Sequence, residues 1–114
     1  MNILLVCLGG ALGALCRYWM SKWINSLLKS RFPFATLIIN ILGSFVLGYT
    51  FSLSHFSFNH SLFLQTGFLG AFTTFSTFTV EAIELSKSRK RGLILYVALS
   101  LFLSLSFFYI GTVL

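Results

Sequence analysis

A chain of 114 residues that is 57% hydrophobic and only 9% charged has the length of one domain and the composition of something other than a soluble one. Soluble domains carry roughly a quarter charged residues, and fourteen phenylalanines beside two acids leave too little polar material for a wetted surface. The net charge of +6 does not indicate nucleic acid, because the basic groups sit in short connectors; an anionic lipid surface is the expected neighbour.

Turn and charge signals divide the chain into four apolar segments, at about 3–23, 32–53, 62–85 and 93–114. Each approaches the ~20 residues that carry a helix across ~30 Å of hydrocarbon. Four such segments cannot close a barrel, and open strands would leave unpaired amides in lipid, so all four are expected to be helices. The expectation is an all-α integral membrane protein, one membrane domain over residues 1–114, multi-pass in the cell membrane.

The first segment has no Lys or Arg before it, so it lacks the charged start of a signal peptide and reads as a retained span. Cys7 and Cys16 would lie about 13 Å apart along a helix, too far to bridge, and read as small buried hydrophobes. Gly9, Gly10, Gly13 and Ala14 let a second backbone approach. Arg17 has two readings: it snorkels to the interface, or it forms a positive entrance for anions.

Pro33 stands where the second helix begins, where a missing N–H costs nothing. Asn40 lies about eight residues in, surrounded by apolar neighbours. Its amide offers two N–H donors and one acceptor, either to hold two helices together or to aim a donor at something passing. Gly43, Ser44 and Gly48 again suit close helix packing.

The third segment contains GAFTTFSTF, residues 70–78. Gly67 and Gly70 precede Thr73, Thr74, Ser76, Thr77 and Thr79, a composition that predicts a helix break near residues 70–76. Inside a membrane, unwound backbone is tolerated only beside protein, a pore or an ion, and broken helices make ion sites from backbone dipoles. Phe75 and Phe78 either pack or turn their ring edges, the positive part of the quadrupole, toward a small anion. Glu81 and Glu84 fall near the end of the segment.

In the fourth segment Tyr96, Ser100 and Ser104 recur at steps of four, which puts three hydroxyls on one helical face. Ser106 falls off that line.

Charge at the helix ends is one-sided. The connectors at 24–31 and 86–92, with the helix end before the first, hold Lys22, Lys29, Arg31, Lys87, Arg89, Lys90 and Arg91, while the connector at 54–61 holds only His55 and His60. The positive-inside rule then predicts cytoplasmic first and third connectors and both termini outside. Four short helices enclose little, so oligomerisation, most simply as a pair, is expected.

No nucleophile sits beside a base, no cluster of metal-ligating side chains is present, and no phosphate-binding loop follows a strand, so an enzyme is not expected. The first, second and fourth segments contain no Asp or Glu, which argues against a proton-driven exporter of cations. A lining of neutral donors, one arginine and phenylalanine edges favours anions over cations.

The sequence resembles the CrcB/Fluc family of small bacterial fluoride channels over essentially its whole length. GGALGALCRY at 9–18, INILGSFVLG at 39–48, GFLGAFTTFSTFTVE at 67–81 and the Tyr96, Ser100, Ser104 spacing carry the resemblance, in order and without internal departure. It implies an antiparallel, dual-topology-type dimer with two narrow pores that passively export cytoplasmic fluoride, the third helix being broken mid-membrane. It implies a fluoride path of Asn40, Phe75, Phe78, Tyr96, Ser100 and Ser104, with Arg17 at the vestibule and Glu81 structural. It further implies a structural sodium at the dimer centre, held by the Gly70 and Thr73 carbonyls, and no organic cofactor. The one-sided charge suggests that this chain pairs with a related four-helix paralogue. The rival readings are a small four-helix drug or cation exporter, and a non-transporting helper that stabilises another membrane protein.

Overall fold

The computed structural model describes residues 2–28, 32–53, 57–88 and 90–114, all helical apart from short joints. Lys29, Arg31, His55 and Arg89 of the charge count lie outside the described residues. Helix α1 runs Asn2–Leu27 and α2 Phe34–Ser52. A third stretch is assembled from α3 (Phe58–His60), a π-helical segment (Ser61–Leu69), α4 (Gly70–Phe72) and, after a break, α5 (Ser76–Ser88). Helix α6 spans Lys90–Val113.

The helices outrun the apolar segments, to Leu27 in α1 and from Lys90 in α6. A polar residue ends an apolar run without ending a helix, so charge marks the edge of the oil and not the end of the coil. Pro33 precedes the first residue of α2, and its carbonyl accepts from Leu37 N at 3.3 Å. Among the described residues, three helices (α1, α2 and α6) are long and apolar enough to cross a membrane; the broken third stretch falls short in each of its parts.

Two cores organise the packing. Ile24, Ala35, Ile39 and Phe72 bury one another where α1, α2 and α4 meet, with Met20, Ile38 and Phe68 around them. Leu37, Leu85 and Tyr96 form the second, between α2, α5 and α6. Outside these, large apolar side chains such as Trp19, Phe102, Leu105 and Ile110 stand exposed. In water that surface would be a liability; in lipid it is the solvated face. The longest dimension, 45 Å, matches a bilayer with its headgroups, about 40–45 Å. The chain is a membrane protein.

Glycine sets the closest approaches. A Cβ at Gly9 would collide with the Phe63 carbonyl oxygen, and one at Gly13 with the Phe68 carbonyl, so α1 lies backbone against backbone on the π segment. Gly48 of α2 and Gly111 of α6 face each other's helices in the same way, through the Phe108 and Phe45 carbonyls. Gly10 differs, since a Cβ there would meet only the Gly67 carbonyl at an ordinary 3.9 Å.

These contacts predict that Gly13→Ala and Gly48→Ala each lower stability by about 1–3 kcal/mol, the usual cost of overpacking. Gly10→Ala is expected to be close to neutral. Thermal unfolding of the three variants in detergent measures the contrast.

Candidate functional site

The break in the third stretch follows from where three N–H groups point. Thr73 N makes the last helical bond, to Leu69 O at 3.0 Å, and Thr73 itself is extended at φ −78°, ψ 157°. Thr74 N turns away from its helical acceptor and donates to Asn40 Oδ1 at 2.9 Å, while Asn40 Nδ2 donates to Thr74 O at 3.0 Å. The side-chain amide of α2 thus pairs with the unwound main chain as a neighbouring strand would. Thr77 N donates to Thr74 Oγ1 at 3.2 Å, and the helix resumes with Thr79 N on Phe75 O at 2.9 Å.

The hydroxyls of this stretch largely serve the break itself. Thr73 Oγ1 donates to Leu69 O at 2.9 Å, Thr74 Oγ1 donates to Thr77 Oγ1 at 3.1 Å, and Thr79 Oγ1 donates to Phe75 O at 2.9 Å. In the structure they satisfy backbone and one another. What the break does release is carbonyl oxygen. The helical donor for Gly70 O would be Thr74 N, which serves Asn40; that for Thr73 O would be Thr77 N, which serves Thr74 Oγ1. Both residues line the same groove. Two freed carbonyls suit a hard cation, which prefers oxygen ligands, although two alone do not complete a coordination shell.

That groove, of about 350 Å³, opens between α2, the π segment, the break and α6. Asn40, Ser44, Gln65, Thr73, Thr74 and Ser104 are its polar lining residues, and among the described residues no charged side chain lines it. Phe75 stands at its edge, 79% exposed. From there an aromatic ladder leads inward: Phe75 to Phe78 at 5.8 Å between ring centres, then Phe78 to Tyr96 at 5.1 Å. Phe32 meets the far side of Tyr96 edge-on at 5.6 Å.

The hydroxyl face of α6 divides into two parts. Ser104 opens into the groove, whereas Tyr96 and Ser100 are buried. Tyr96 Oη faces Thr36 and Glu81 at hydrogen-bonding range, and Ser100 Oγ has no partner among the described residues. Other helical hydroxyls here close on their own backbone: Ser26, Ser52, Ser86 and Thr112 each donate to the carbonyl three residues back at 2.6 Å. Ser100 does not take that exit. A buried unsatisfied polar group costs about 1–3 kcal/mol, and in native structures such a group is met by ordered water or an ion.

The remaining expected residues lie apart. Arg17 is half-buried on α1 and is not part of the groove lining. Glu81 accepts from Thr36 Oγ1 and borders a second hollow of about 250 Å³ with Pro33, Glu84, Leu85 and Ser88. Sequence reasoning missed Thr36, Thr50 and Gln65. Gln65 is the only glutamine of the chain and sits among apolar neighbours, which was a usable signal; the two threonines gave none.

The sequence model of the family described as CrcB-like protein, Camphor Resistance (CrcB), matches residues 4–112. The chain belongs to this family. Among curated relatives, the protein named fluoride-specific ion channel FluC from Oceanobacillus iheyensis is 45% identical, over 96% of this chain and 88% of its own. The one named fluoride-specific ion channel FluC 1 from Listeria innocua is 46% identical, over 99% and 96%. A FluC from Thermus thermophilus is 45% identical, over 95% and 88%.

The Asn40–Thr74 pairing predicts that Asn40→Leu orphans an N–H and a C=O, costing about 1–3 kcal/mol for each. Asn40→Asp keeps the acceptor for Thr74 N and is expected to cost less. Hydrogen exchange at Thr74 and thermal unfolding together test the order.

Proposed function

We infer that this CrcB-family chain is a fluoride-selective channel that passively exports cytoplasmic fluoride and so relieves its toxicity. The observation that carries the reading is the row of hydroxyls on α6, with Tyr96 and Ser100 buried and Ser104 opening into a groove that no charged side chain among the described residues lines. Relatives spanning nearly the whole chain bear the name of fluoride-specific channels. A channel carries out no chemical conversion, and the chain is not an enzyme. The exporter reading finds no support in those names.

Fluoride is small and tightly hydrated, so a path must offer donors before water is given up. Hydrogen bonds to an anion are roughly twice as strong as neutral ones. Asn40 keeps one Nδ2–H beyond its bond to Thr74, and the Phe75 and Phe78 ring edges supply positive quadrupole. Tyr96, Ser100 and Ser104 hand the ion along α6. Hydrogen fluoride crosses lipid as a neutral acid, ionises in a less acidic cytoplasm, and its anion runs out down its gradient without fuel.

In this reading the protein crosses the membrane four times, the third crossing being broken. Bare carbonyls, Phe75 and exposed Ser76, Thr77 and Thr79 require cover in lipid, and a second, antiparallel subunit supplies it. A dyad beside Gly70 and Thr73 doubles two freed carbonyls to four, a set that fits sodium. Sodium bound there would offset the carbonyl dipoles and add positive potential between two pores. Arg17 lines a vestibule, and Glu81, tied to Thr36, is structural. Seven basic groups on connectors one and three against none on the other side favour one orientation, with the termini outside. One-way insertion makes a related four-helix paralogue the expected partner; some relatives are numbered FluC 1 and FluC 2.

Reconstitution in fluoride-loaded liposomes with a fluoride electrode tests the function: efflux above protein-free vesicles is expected, and proton-coupled cation movement without efflux would sink it. Asn40→Asp is expected to lower flux at least about tenfold, the loss of one hydrogen bond to an anion, and Phe75→Ile, which removes a ring edge, to lower it as well, with assembly retained in both. Full permeability from this chain alone, with copies in both orientations, would refute the paralogue partner.

A further inference from the structure

A second amide faces the groove, on the side where α2 ends. Gln65 sits midway along the nine-residue π segment, a rare winding that occurs mostly as single turns and often at functional sites. The segment is seated by backbone contact on Gly9 and Gly13 of α1, which fixes the direction in which Gln65 projects.

Its amide is held at both ends. Ser61 Oγ donates to Gln65 Oε1 at 2.6 Å, and Gln65 Nε2 donates to Thr50 Oγ1 at 2.6 Å. Thr50 Oγ1 donates in turn to Leu47 O at 2.6 Å, so its only proton is engaged and it can act toward Gln65 only as an acceptor. That chain fixes which end of the amide is nitrogen. It leaves one Nε2–H with no partner among the described residues, on a side chain that lines the groove. Asn40 is in the same condition: its oxygen and one N–H are occupied by Thr74, and one N–H is left over. Two amides locked from behind, each with one spare donor, border a cavity that no charged side chain among the described residues lines. At these two positions the groove offers N–H and no free amide oxygen, which suits an anion; the freed carbonyls lie at the break, with Gly70 and Thr73.

We propose that Gln65 is a further residue of the fluoride path, an oriented N–H donor on the far side of the groove from the aromatic ladder, with Ser61 and Thr50 as its positioning residues. The inference rests on the channel reading above. Gln65 receives the ion between Asn40 and the water beyond the Ser52 end of α2. Losing its donor weakens occupancy of that stretch without disturbing the break.

The test is fluoride efflux from liposomes, normalised to assembled protein, over a range of fluoride concentrations. Gln65→Met, similar in size but without donors, is expected to lower flux at low fluoride about tenfold, the loss of one hydrogen bond to an anion. Thr50→Val, which frees the amide without removing it, is expected to give a smaller loss. Gln65→Glu is expected to pass little fluoride at pH 7.5 and to recover toward pH 5.5, where a protonated carboxyl can donate. Among the described residues no native charged group lines the groove to produce that profile. Wild-type flux and concentration dependence in Gln65→Met would overturn the proposal, as would lost assembly with unchanged flux per assembled channel or a flat Gln65→Glu profile. A wild-type protein that passes no fluoride would instead overturn the channel reading, and this inference with it.

Discussion

The pairing of the Asn40 side chain with the Thr74 main chain is the interaction on which the site depends. A helix can stop inside an apolar environment only if the peptide groups it abandons find other partners. Asn40 provides both a donor and an acceptor at the one residue where the coil is most open. Thr74 then caps the returning helix with its own hydroxyl. One residue of α2 thereby decides the conformation of a stretch more than thirty positions away in the chain. It also decides which carbonyls are freed: those of Gly70 and Thr73 lose their helical donors because those donors are engaged here.

From that break the rest of the site follows in order. Phe75 lies in the extended joint and is pushed outward, while Phe78, already in the resumed helix, reaches back to Tyr96. Burial of Tyr96 between α2, α5 and α6 carries Ser100 in with it, one turn along the same face. Had the third stretch been wound continuously, these rings and hydroxyls would have had an ordinary core to satisfy them.

Much of this was legible in the sequence, because membranes simplify the reading. The apolar runs identified the helical stretches, and the glycines and threonines of 70–79 located the interruption, which falls at 73–75. The step of four from Tyr96 to Ser104 put three hydroxyls on one face of α6 but did not show the division of that face between core and groove. The role of the threonines was not legible, since a hydroxyl offered to an ion and one turned back on a carbonyl look alike in one dimension. Asn40 was conspicuous as an amide among apolar neighbours, yet its partner is a main-chain group, and every residue has one of those. The π winding has no composition of its own. Gln65 was visible only as a lone polar residue, because what orients it, Ser61 and Thr50, comes from two different elements.

Gly13 against Phe68 and Gly48 against Gly111 bring whole backbones into touch, with no side-chain cushion to compress or slide. Walls seated that way give a conduit little freedom to dilate or shut. A path beside such seams would choose among anions by fixed width and fixed dipoles. In such a protein, tolerance to errors in manufacture is low: a single added methyl group at these seams meets main-chain atoms of the neighbouring helix.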